Sequence, residues 1–273
     1  MSNKKEYLKL CETIWEHNHR YFVENAPVIS DLEFDKLFEK LVKMEREHPE
    51  WIFPGSPTQR VGGIVTGGFP VVSHTIPMLS LANTYSPEEI HEFLARIERM
   101  LHKKNVLYEA ELKMDGIAVS VIYEKGVLSQ AVTRGDGWQG DEITSNIRTI
   151  ASLPLQLTAP YPQFLEARGE VFIPKKSFEK LNQSQKAEKK ALFANPRNAA
   201  GGSLKLLNPK EVAKRNLAIS FYAIAQVSQK GIESQYDALC YLKKWGLPVV
   251  GEFIQGHHFE ELWKFATQVE KKR

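Results

Sequence analysis

The N-terminal part of the chain alternates apolar and polar positions with the period of an α-helix. From Glu6 to Val23 the apolar side chains recur at a spacing that places them on one face, and these residues are Tyr7, Leu8, Cys11, Ile14, Trp15 and Phe22. A second apolar stripe follows Ser30 and Glu33, which have the spacing of a capping box, and it ends at His48-Pro49. The pattern therefore predicts two amphipathic helices.

The stretch from Pro54 to Gly68 is rich in Gly, Pro, Ser and Thr and shows no periodicity. Such a composition is typical of a loop or linker. We therefore expect a small helical domain over residues 1–68 and a larger second domain over residues 69–273.

Beyond the linker the pattern becomes that of strands. Val106–Tyr123 and Val127–Arg134 are rich in β-branched and aromatic residues, and Glu124-Lys125-Gly126 separates them as the turn of a hairpin. The further predicted elements are strands near Phe164–Ile173 and Leu217–Val227 and helices over Tyr236–Trp245 and Glu260–Lys271. Hairpins mixed with helices indicate an α+β fold with mainly antiparallel sheets.

Composition narrows the class of protein without deciding its function. The net charge of +3, from 36 Lys and Arg against 33 Asp and Glu, does not by itself indicate a nucleic-acid-binding protein, so any contact with DNA must depend on local patches. We find no run of about 18 apolar residues and no secretory leader, and we expect a cytoplasmic protein with no membrane partner. Cys11 and Cys240 lie far apart, and we expect both to be buried structural thiols.

The first predicted strand carries four charged side chains at alternate positions, Glu109, Glu111, Lys113 and Asp115. On a continuous strand they would project from one face of the sheet, with carboxylates about 7 Å away on either side of the ammonium group. A solvated strand face is the ordinary explanation of such a pattern. Gly116 argues against it, because a glycine within a strand often marks a bulge or a close approach of the backbone to a ligand.

A lysine in this setting is a candidate covalent nucleophile. Its ordinary pKa of about 10.4 keeps it protonated, so it needs neighbours that position it and a way to lose the proton. Flanking carboxylates alone would raise the pKa of such an amine, and a metal ion or another cation must oppose them. A phosphoryl-transfer site would provide Mg²⁺ together with its nucleotide.

Lys113-Met114-Asp115-Gly116 is the K-x-D-G motif of covalent nucleotidyltransferases, and its surroundings from Glu109 to Gly140 resemble the corresponding block of bacterial NAD-dependent DNA ligases. The other blocks that carry the resemblance are Ser56–Gly62, Pro77–Leu81, Arg168–Phe172 and Phe193–Ala200. The resemblance runs from about His17 to the end of the chain. It implies a monomer that uses NAD and Mg²⁺, or Mn²⁺ in its place, and acts on nicked double-stranded DNA.

The resemblance also implies roles for single residues. Lys113 would attack the α-phosphate of NAD, release nicotinamide mononucleotide and hold AMP for the joining of DNA nicks. Glu111 would select the adenine, Asp115 and Arg134 would contact the ribose and complete the catalytic group, and Glu170 would hold the ribose or help to place the metal.

Other implied site residues are Ser80 and Leu81, which would lie against the nucleotide. Arg197 and Lys205 are candidates for phosphate contacts to NAD or to DNA, and solvated surface charge is the alternative for both. No residue of this chain is expected to be a fixed metal ligand.

In the family, the N-terminal helical domain recognises nicotinamide mononucleotide. Tyr21, Asp31 and Asp35 match the family pattern here, whereas Phe22 stands where a His is usual and Phe34 where a Tyr is usual. Both replacements keep an aromatic face for stacking and lose a hydrogen-bonding group. We therefore expect a weaker or altered interaction with the nicotinamide end.

Two alternatives come from other features of the chain. Gly135–Gly140 fits G-x-G-x-x-G, which would suggest a Rossmann-type oxidoreductase, but the two preceding strands form a hairpin, and Leu157–Tyr161 stands where an acidic residue is needed. The second alternative is a ligase-like module that binds nucleotide or DNA without catalysis. We consider this alternative because family members continue past the position of Arg273 into a further strand, an OB-fold, a four-cysteine zinc site and other modules. We therefore expect the nucleotidyltransferase domain to be incomplete at its C-terminal side.

Overall fold

The computed structural model describes residues 2–22, 26, 28–61 and 68–272, with only the main chain described for residues 2, 3, 22, 31, 61 and 272. The helices are α1 (Ser2–Phe22), α2 (Asp31–Glu47), α3 (Pro87–Leu101), α4 (Thr144–Ile147), α5 (Lys175–Ala187), α6 (Pro196–Leu204), α7 (Pro209–Ala213), α8 (Gln235–Lys244) and α9 (Phe259–Lys272). The strands are β1 (Val71–Ser73), β2 (Tyr108–Glu111), β3 (Ile117–Glu124), β4 (Val127–Thr133), β5 (Gln139–Asp141), β6 (Phe164–Phe172), β7 (Ala218–Val227) and β8 (Phe253–Gly256). Within these described ranges, no helix is long and apolar enough to cross a membrane.

The chain forms two compact units. The first comprises Met1–Met78 and Met114–Val249, and the second comprises Leu79–Lys113 and Val250–Arg273. The first contains α1, α2, the four-stranded sheet and α4 to α8, while the second contains α3, β2, β8 and α9. Helices with antiparallel sheets confirm the predicted α+β fold.

An antiparallel sheet of four strands in the order β4-β3-β6-β7 forms the core of the first unit. Side chains at alternate positions of β3 point into this core, where Val119, Val121 and Tyr123 are fully buried. The β3–β4 hairpin turns at Lys125 and Gly126, both with positive φ. The predicted hairpin and the two later strands are thus confirmed.

The helices α1 and α2 pack against each other through an apolar core, which consists of Tyr7, Leu10, Cys11, Ile14 and Leu41. The predicted capping box is present, because Ser30 Oγ accepts from Glu33 N and Glu33 Oε2 accepts from Ser30 N. The prediction that both cysteines are buried was confirmed for Cys11 and wrong for Cys240. Leu8 is 42% exposed at the edge of the apolar face, and Cys240 is exposed on α8.

The described part of the predicted linker includes a short helical turn. Pro57–Val61 forms a 3-10 helix, and residues 62–67 lie outside the described ranges. The buried carboxylate of Glu45 on α2 holds this segment, because it accepts hydrogen bonds from Tyr7 Oη (2.9 Å), Ser56 Oγ (2.6 Å) and Thr58 Oγ1 (2.6 Å). Composition indicated a loop and could not reveal these partners.

Arg60 joins this segment to the rest of the first unit. Its guanidinium donates to the carbonyl oxygen of Ile150 and lies 4.7 Å from the ring centroid of Trp15 on α1. Burial lowers the pKa of Arg60 to about 10, so the side chain stays cationic at neutral pH. A main-chain oxygen and an aromatic face therefore hold a largely desolvated cation at this point.

The predicted strand Val106–Tyr123 is in fact two strands. β2 ends at Glu111 and pairs with β8 in the second unit, whereas β3 begins at Ile117 and lies between β4 and β6 in the first. Lys113 and Asp115 therefore lie outside both strands, and the prediction that they share a sheet face with Glu109 and Glu111 was wrong. The alternation of charged and apolar residues continues through the break between β2 and β3. Only the different partner strands of β2 and β3 reveal that break.

Candidate functional site

Lys113 lies in the connection between β2 and β3, two residues after β2 ends. Its side chain is exposed. The four-residue motif that it begins crosses the limit between the units, because Lys113 is the last residue of Leu79–Lys113 and Met114 begins the next segment of the first unit. Lys113 is thus accessible, and both sides of the connection continue into hydrogen-bonded strands.

Gly116 fixes the end of this connection against β6. A Cβ atom on this residue would lie 2.1 Å from the carbonyl oxygen of Val171, so the main chains approach more closely than any side chain would allow. Gly116 N also donates to Glu170 Oε1 at 3.1 Å. The motif glycine and the predicted site residue Glu170 are therefore in direct contact.

Asp115 forms an ion pair with Arg197, the second residue of α6. Arg197 Nη1 and Asp115 Oδ1 are 2.8 Å apart, and the two side chains are 46% and 72% exposed. The structure thus brings together two predicted site residues that lie 82 positions apart in the sequence. An exposed pair of this kind contributes about 0 to 1 kcal/mol, so an anionic ligand can displace the carboxylate at low cost.

Lys205 lies at the other end of α6, as its C-cap residue. Its Nζ is 2.7 Å from Asp141 Oδ2 on β5, and the lysine side chain is 58% exposed. Arg197 and Lys205, the two cations predicted to contact phosphates, therefore each form an ion pair with a carboxylate. They lie at opposite ends of one nine-residue helix.

Arg134 begins the tight turn between β4 and β5. Its main-chain N donates to Ala118 O on β3, and its carbonyl accepts from Gly137 N. Asp136 Oδ1 accepts from Trp138 N and Gln139 N, each at 2.9 Å, and these main-chain hydrogen bonds, that of Gln139 first, lower the pKa of Asp136.

His74 supports this turn from the segment after β1, and sequence reasoning did not identify it. Its Nε2 lies 3.1 Å from the carbonyl oxygen of Thr133 and 3.2 Å from that of Arg134. Two carbonyl oxygens accept only, so the neutral ring must carry its proton on Nε2. A lone histidine 60 positions from Arg134 offers no spacing signal.

The glycine-rich run of this turn does not form a dinucleotide-binding loop. Gly135 and Gly137 have positive φ, and β5 pairs antiparallel with β1. A Rossmann site requires a strand that leads through the glycines into a helix of a parallel βαβ unit. The structure therefore agrees with the rejection of that alternative.

The second unit carries Glu109, Glu111, Ser80 and Leu81. Glu109 and Glu111 lie on β2, opposite Gln255 and Phe253 of β8. Burial, and then the charge of Glu111, raise the pKa of Glu109. Ser80 and Leu81 are exposed in the segment before α3.

The residues expected to recognise nicotinamide mononucleotide lie on α1 and α2. Tyr21 is 49% exposed near the end of α1. On α2, Phe34 stacks on Phe38 with ring centroids 6.4 Å apart, and Asp35 is exposed. The side chains of Phe22 and Asp31, the other two such residues, lie outside the described atoms.

Among the described residues, no group of three or more His, Cys, Asp or Glu side chains is arranged to hold a metal ion.

Comparison with known proteins gives two family matches that together cover most of the chain. Residues 1–62 match the family described as the DNA ligase-like, N-terminal NAD⁺-binding domain. Residues 66–273 match the NAD-dependent DNA ligase adenylation domain.

Several bacterial proteins named DNA ligase are similar to the whole chain. Those of Protochlamydia amoebophila and Chlamydia felis are each 48% identical to it over 100% of its length, and the match covers 41% of each relative. The protein of Petrotoga mobilis is 44% identical over 99% of the chain and 40% of its own length. The chain thus spans about two fifths of the length of these relatives.

Proposed function

Because the chain belongs to the NAD-dependent DNA ligase family, we propose that it transfers AMP from NAD to Lys113. The Lys113 Nζ lone pair forms a bond to the α-phosphorus of NAD. The bond from that phosphorus to the bridging oxygen breaks, and nicotinamide mononucleotide leaves with the electron pair. The proton lost from Nζ passes to solvent or to the leaving phosphate, and AMP remains as a phosphoramide.

The position of Lys113 is the observation that carries this proposal. A covalent nucleophile must be accessible to its substrate, and its main chain must be held in place so that little entropy is lost on reaction. Lys113 is exposed, while β2 before it pairs with β8 and Gly116 after it is bound to Glu170.

Residues of the first unit would perform the remaining roles. Asp115, Arg134 and Glu170 would contact the ribose, and Glu170 already holds the motif through Gly116 N. The exposed side chain of Arg197 would exchange Asp115 for a phosphate oxygen, which offers the same charge-assisted hydrogen bond. Lys205 would likewise leave its ion pair with Asp141 and bind a phosphate oxygen.

The residues of the second unit would bind the base. Glu111 would accept from the exocyclic amine of adenine, and the exposed Ser80 and Leu81 would lie against the nucleotide. The raised pKa of Glu109 means that its carboxyl group is more readily neutral than an ordinary glutamate, which limits the negative charge beside Glu111.

The helical pair α1 and α2 would recognise the nicotinamide mononucleotide half through Tyr21, Phe22, Asp31, Phe34 and Asp35. The whole proposed function includes nicked duplex DNA as the acceptor of AMP, a monomeric state and a cytoplasmic location, where such DNA is present. Mg²⁺, or Mn²⁺, would reduce the charge of the NAD phosphates when bound, and its ligands would be phosphate oxygens and water.

Mass spectrometry of the chain after incubation with NAD and Mg²⁺ tests this proposal. We expect one AMP adduct, located on Lys113 and absent from Lys113→Ala. Lys104→Ala is the matched control, because Lys104 is also an exposed lysine outside helix and strand in the second unit, and its adduct should equal that of the wild type.

Two outcomes would contradict the proposal. An adduct that persists in Lys113→Ala would assign the chemistry to another residue. Calorimetric binding of NAD without any adduct would favour the alternative of a ligase-like module that binds nucleotide without catalysis.

A further inference from the structure

The nearly neutral chain concentrates its positive charge in one segment of the first unit. Residues 175–215 carry eleven Lys and Arg against three Glu and no Asp, whereas the other 232 residues carry 25 Lys and Arg against 30 Asp and Glu. This segment comprises α5, α6, α7 and their connections. The small net charge of the whole chain therefore hides a strongly basic region.

One face of α5 is the most basic part of this region. Lys175, Lys176, Lys180 and Lys186 are all exposed, and Glu179 is the acidic residue among them. At 100° per residue these side chains lie within about 140° of the helix circumference. The opposite face contains buried Leu181, so the lysines form one outward row.

Four cations elsewhere in the segment form ion pairs, which the lysines of α5 do not among the described residues. Carboxylates pair with Lys190, Arg197, Lys205 and Lys214. In the described part of the chain, no carboxylate lies within 4.0 Å of Lys176, Lys180 or Lys186. The helix itself does not favour them at its start, because Lys175 and Lys176 occupy a first turn without an acidic residue, where the macrodipole disfavours cations.

The row is held in a fixed place relative to Arg197. Asn182 of α5 donates through Nδ2 to Phe193 O at 3.2 Å and accepts from Phe193 N at 2.9 Å. Phe193 lies in the short connection that leads to α6 and Arg197. The basic row and the phosphate candidate at the start of α6 are thus parts of one packed substructure.

We propose that Lys176, Lys180 and Lys186 bind the phosphodiester backbone of duplex DNA. The proposal rests on the proposed function, in which nicked DNA is the substrate. The row extends over about 15 Å, and duplex DNA presents one negative charge per about 1.7 Å of axis. Lysines are flexible point charges without a bidentate fork, so they bind phosphates and do not read the base sequence.

Fluorescence anisotropy of a labelled nicked duplex, without NAD and over a range of NaCl concentrations, tests the proposal on the full chain. The variant is the triple substitution Lys176→Gln, Lys180→Gln and Lys186→Gln. The matched control replaces Lys4, Lys5 and Lys9 by Gln, because these are also three exposed lysines of one helix.

We expect the triple variant on α5 to bind DNA at least tenfold more weakly at low salt. Its slope of log K against log [NaCl] should become shallower by roughly 2 to 3, since each phosphate contact contributes about 0.9 to the slope. The control should keep the affinity and the slope of the wild type. An unchanged slope in the α5 variant, an equal loss in the control, or binding of the wild type to anionic phospholipid vesicles instead of DNA would overturn the proposal.

The yield of AMP-Lys113 in the same variants separates this proposal from the proposed function. A normal yield of AMP-Lys113 together with a shallower salt dependence of DNA binding in the α5 variant supports both proposals. A reduced slope in a chain whose wild type forms no adduct would reject AMP transfer and retain the DNA surface, whereas a normal yield with an unchanged slope would reject the surface alone.

Discussion

Replacing Gly116 by alanine should destabilise the first unit and slow the reaction of Lys113. The added Cβ would lie 2.1 Å from the carbonyl oxygen of Val171 and 2.9 Å from its carbonyl carbon. Gly116 does not have a positive φ, so the cost is steric and does not come from backbone conformation. Both atoms belong to the main chain of the sheet, and they can give way only if the connection moves away from β6.

The size of the effect follows from the cost of overpacking, which is typically about 1 to 3 kcal/mol. For a unit of this size, each kcal/mol lowers the melting temperature by roughly 2 to 4 °C. We therefore expect the melting temperature of Gly116→Ala to fall by roughly 2 to 12 °C. The rate of AMP transfer should fall as well, because the movement lengthens the hydrogen bond from Gly116 N to Glu170.

Thermal unfolding followed by circular dichroism provides the measurement, and Gly202→Ala is the matched control. A Cβ on Gly202 would meet only Phe193 Cε1 at 3.4 Å, an ordinary contact, and alanine favours a helix by about 1 kcal/mol. The control should therefore melt at the wild-type temperature or higher. If Gly116→Ala melts at the wild-type temperature and reacts at the wild-type rate, the steric reasoning is wrong.

Three further predictions concern other parts of the first unit. Glu45→Ala should lower the free energy of unfolding in urea by roughly 2 to 5 kcal/mol because three hydroxyl groups lose a charged acceptor, whereas exposed Glu47→Ala should change it little. Alkylation of the native protein at pH about 8 should modify exposed Cys240 and spare Cys11, whose pKa burial raises to about 11; labelling of both would contradict the described burial. His74→Ala should slow AMP transfer roughly tenfold to a hundredfold through misplacement of Arg134, and His74→Gln, which keeps a donor, should restore part of the rate. Equal rates in a single-turnover assay of wild type and His74→Ala would exclude that role.

Features determined by neighbours in sequence were predictable. The capping box of Ser30 and Glu33 and the turn at Gly126 depend on a few adjacent residues, so composition and spacing located α2 and the β3–β4 hairpin. Lys113 could be selected as the candidate nucleophile because its motif is a short continuous segment.

Features determined by tertiary packing were not predictable in the same way. The alternation of charges from Glu109 to Asp115 continues through the break between β2 and β3, because a strand pattern does not state which strand is its partner. The contacts of Asp115 with Arg197 and of His74 with Arg134 join residues 82 and 60 positions apart. Helical spacing also cannot locate the edge of an apolar face, which is why Cys240 was misassigned.

The way in which Arg60 is held has a consequence for changes in solution conditions. The acceptor that fixes its cation is the main-chain carbonyl of Ile150, which does not titrate, and its second neighbour is the neutral ring of Trp15. With a pKa of about 10, the guanidinium stays charged from acidic to mildly alkaline pH, and its burial leaves little for dissolved ions to screen. Neither acidification nor a rise in ionic strength would loosen α1 at this point, whereas a rise in ionic strength weakens the exposed ion pairs of Arg197 and Lys205.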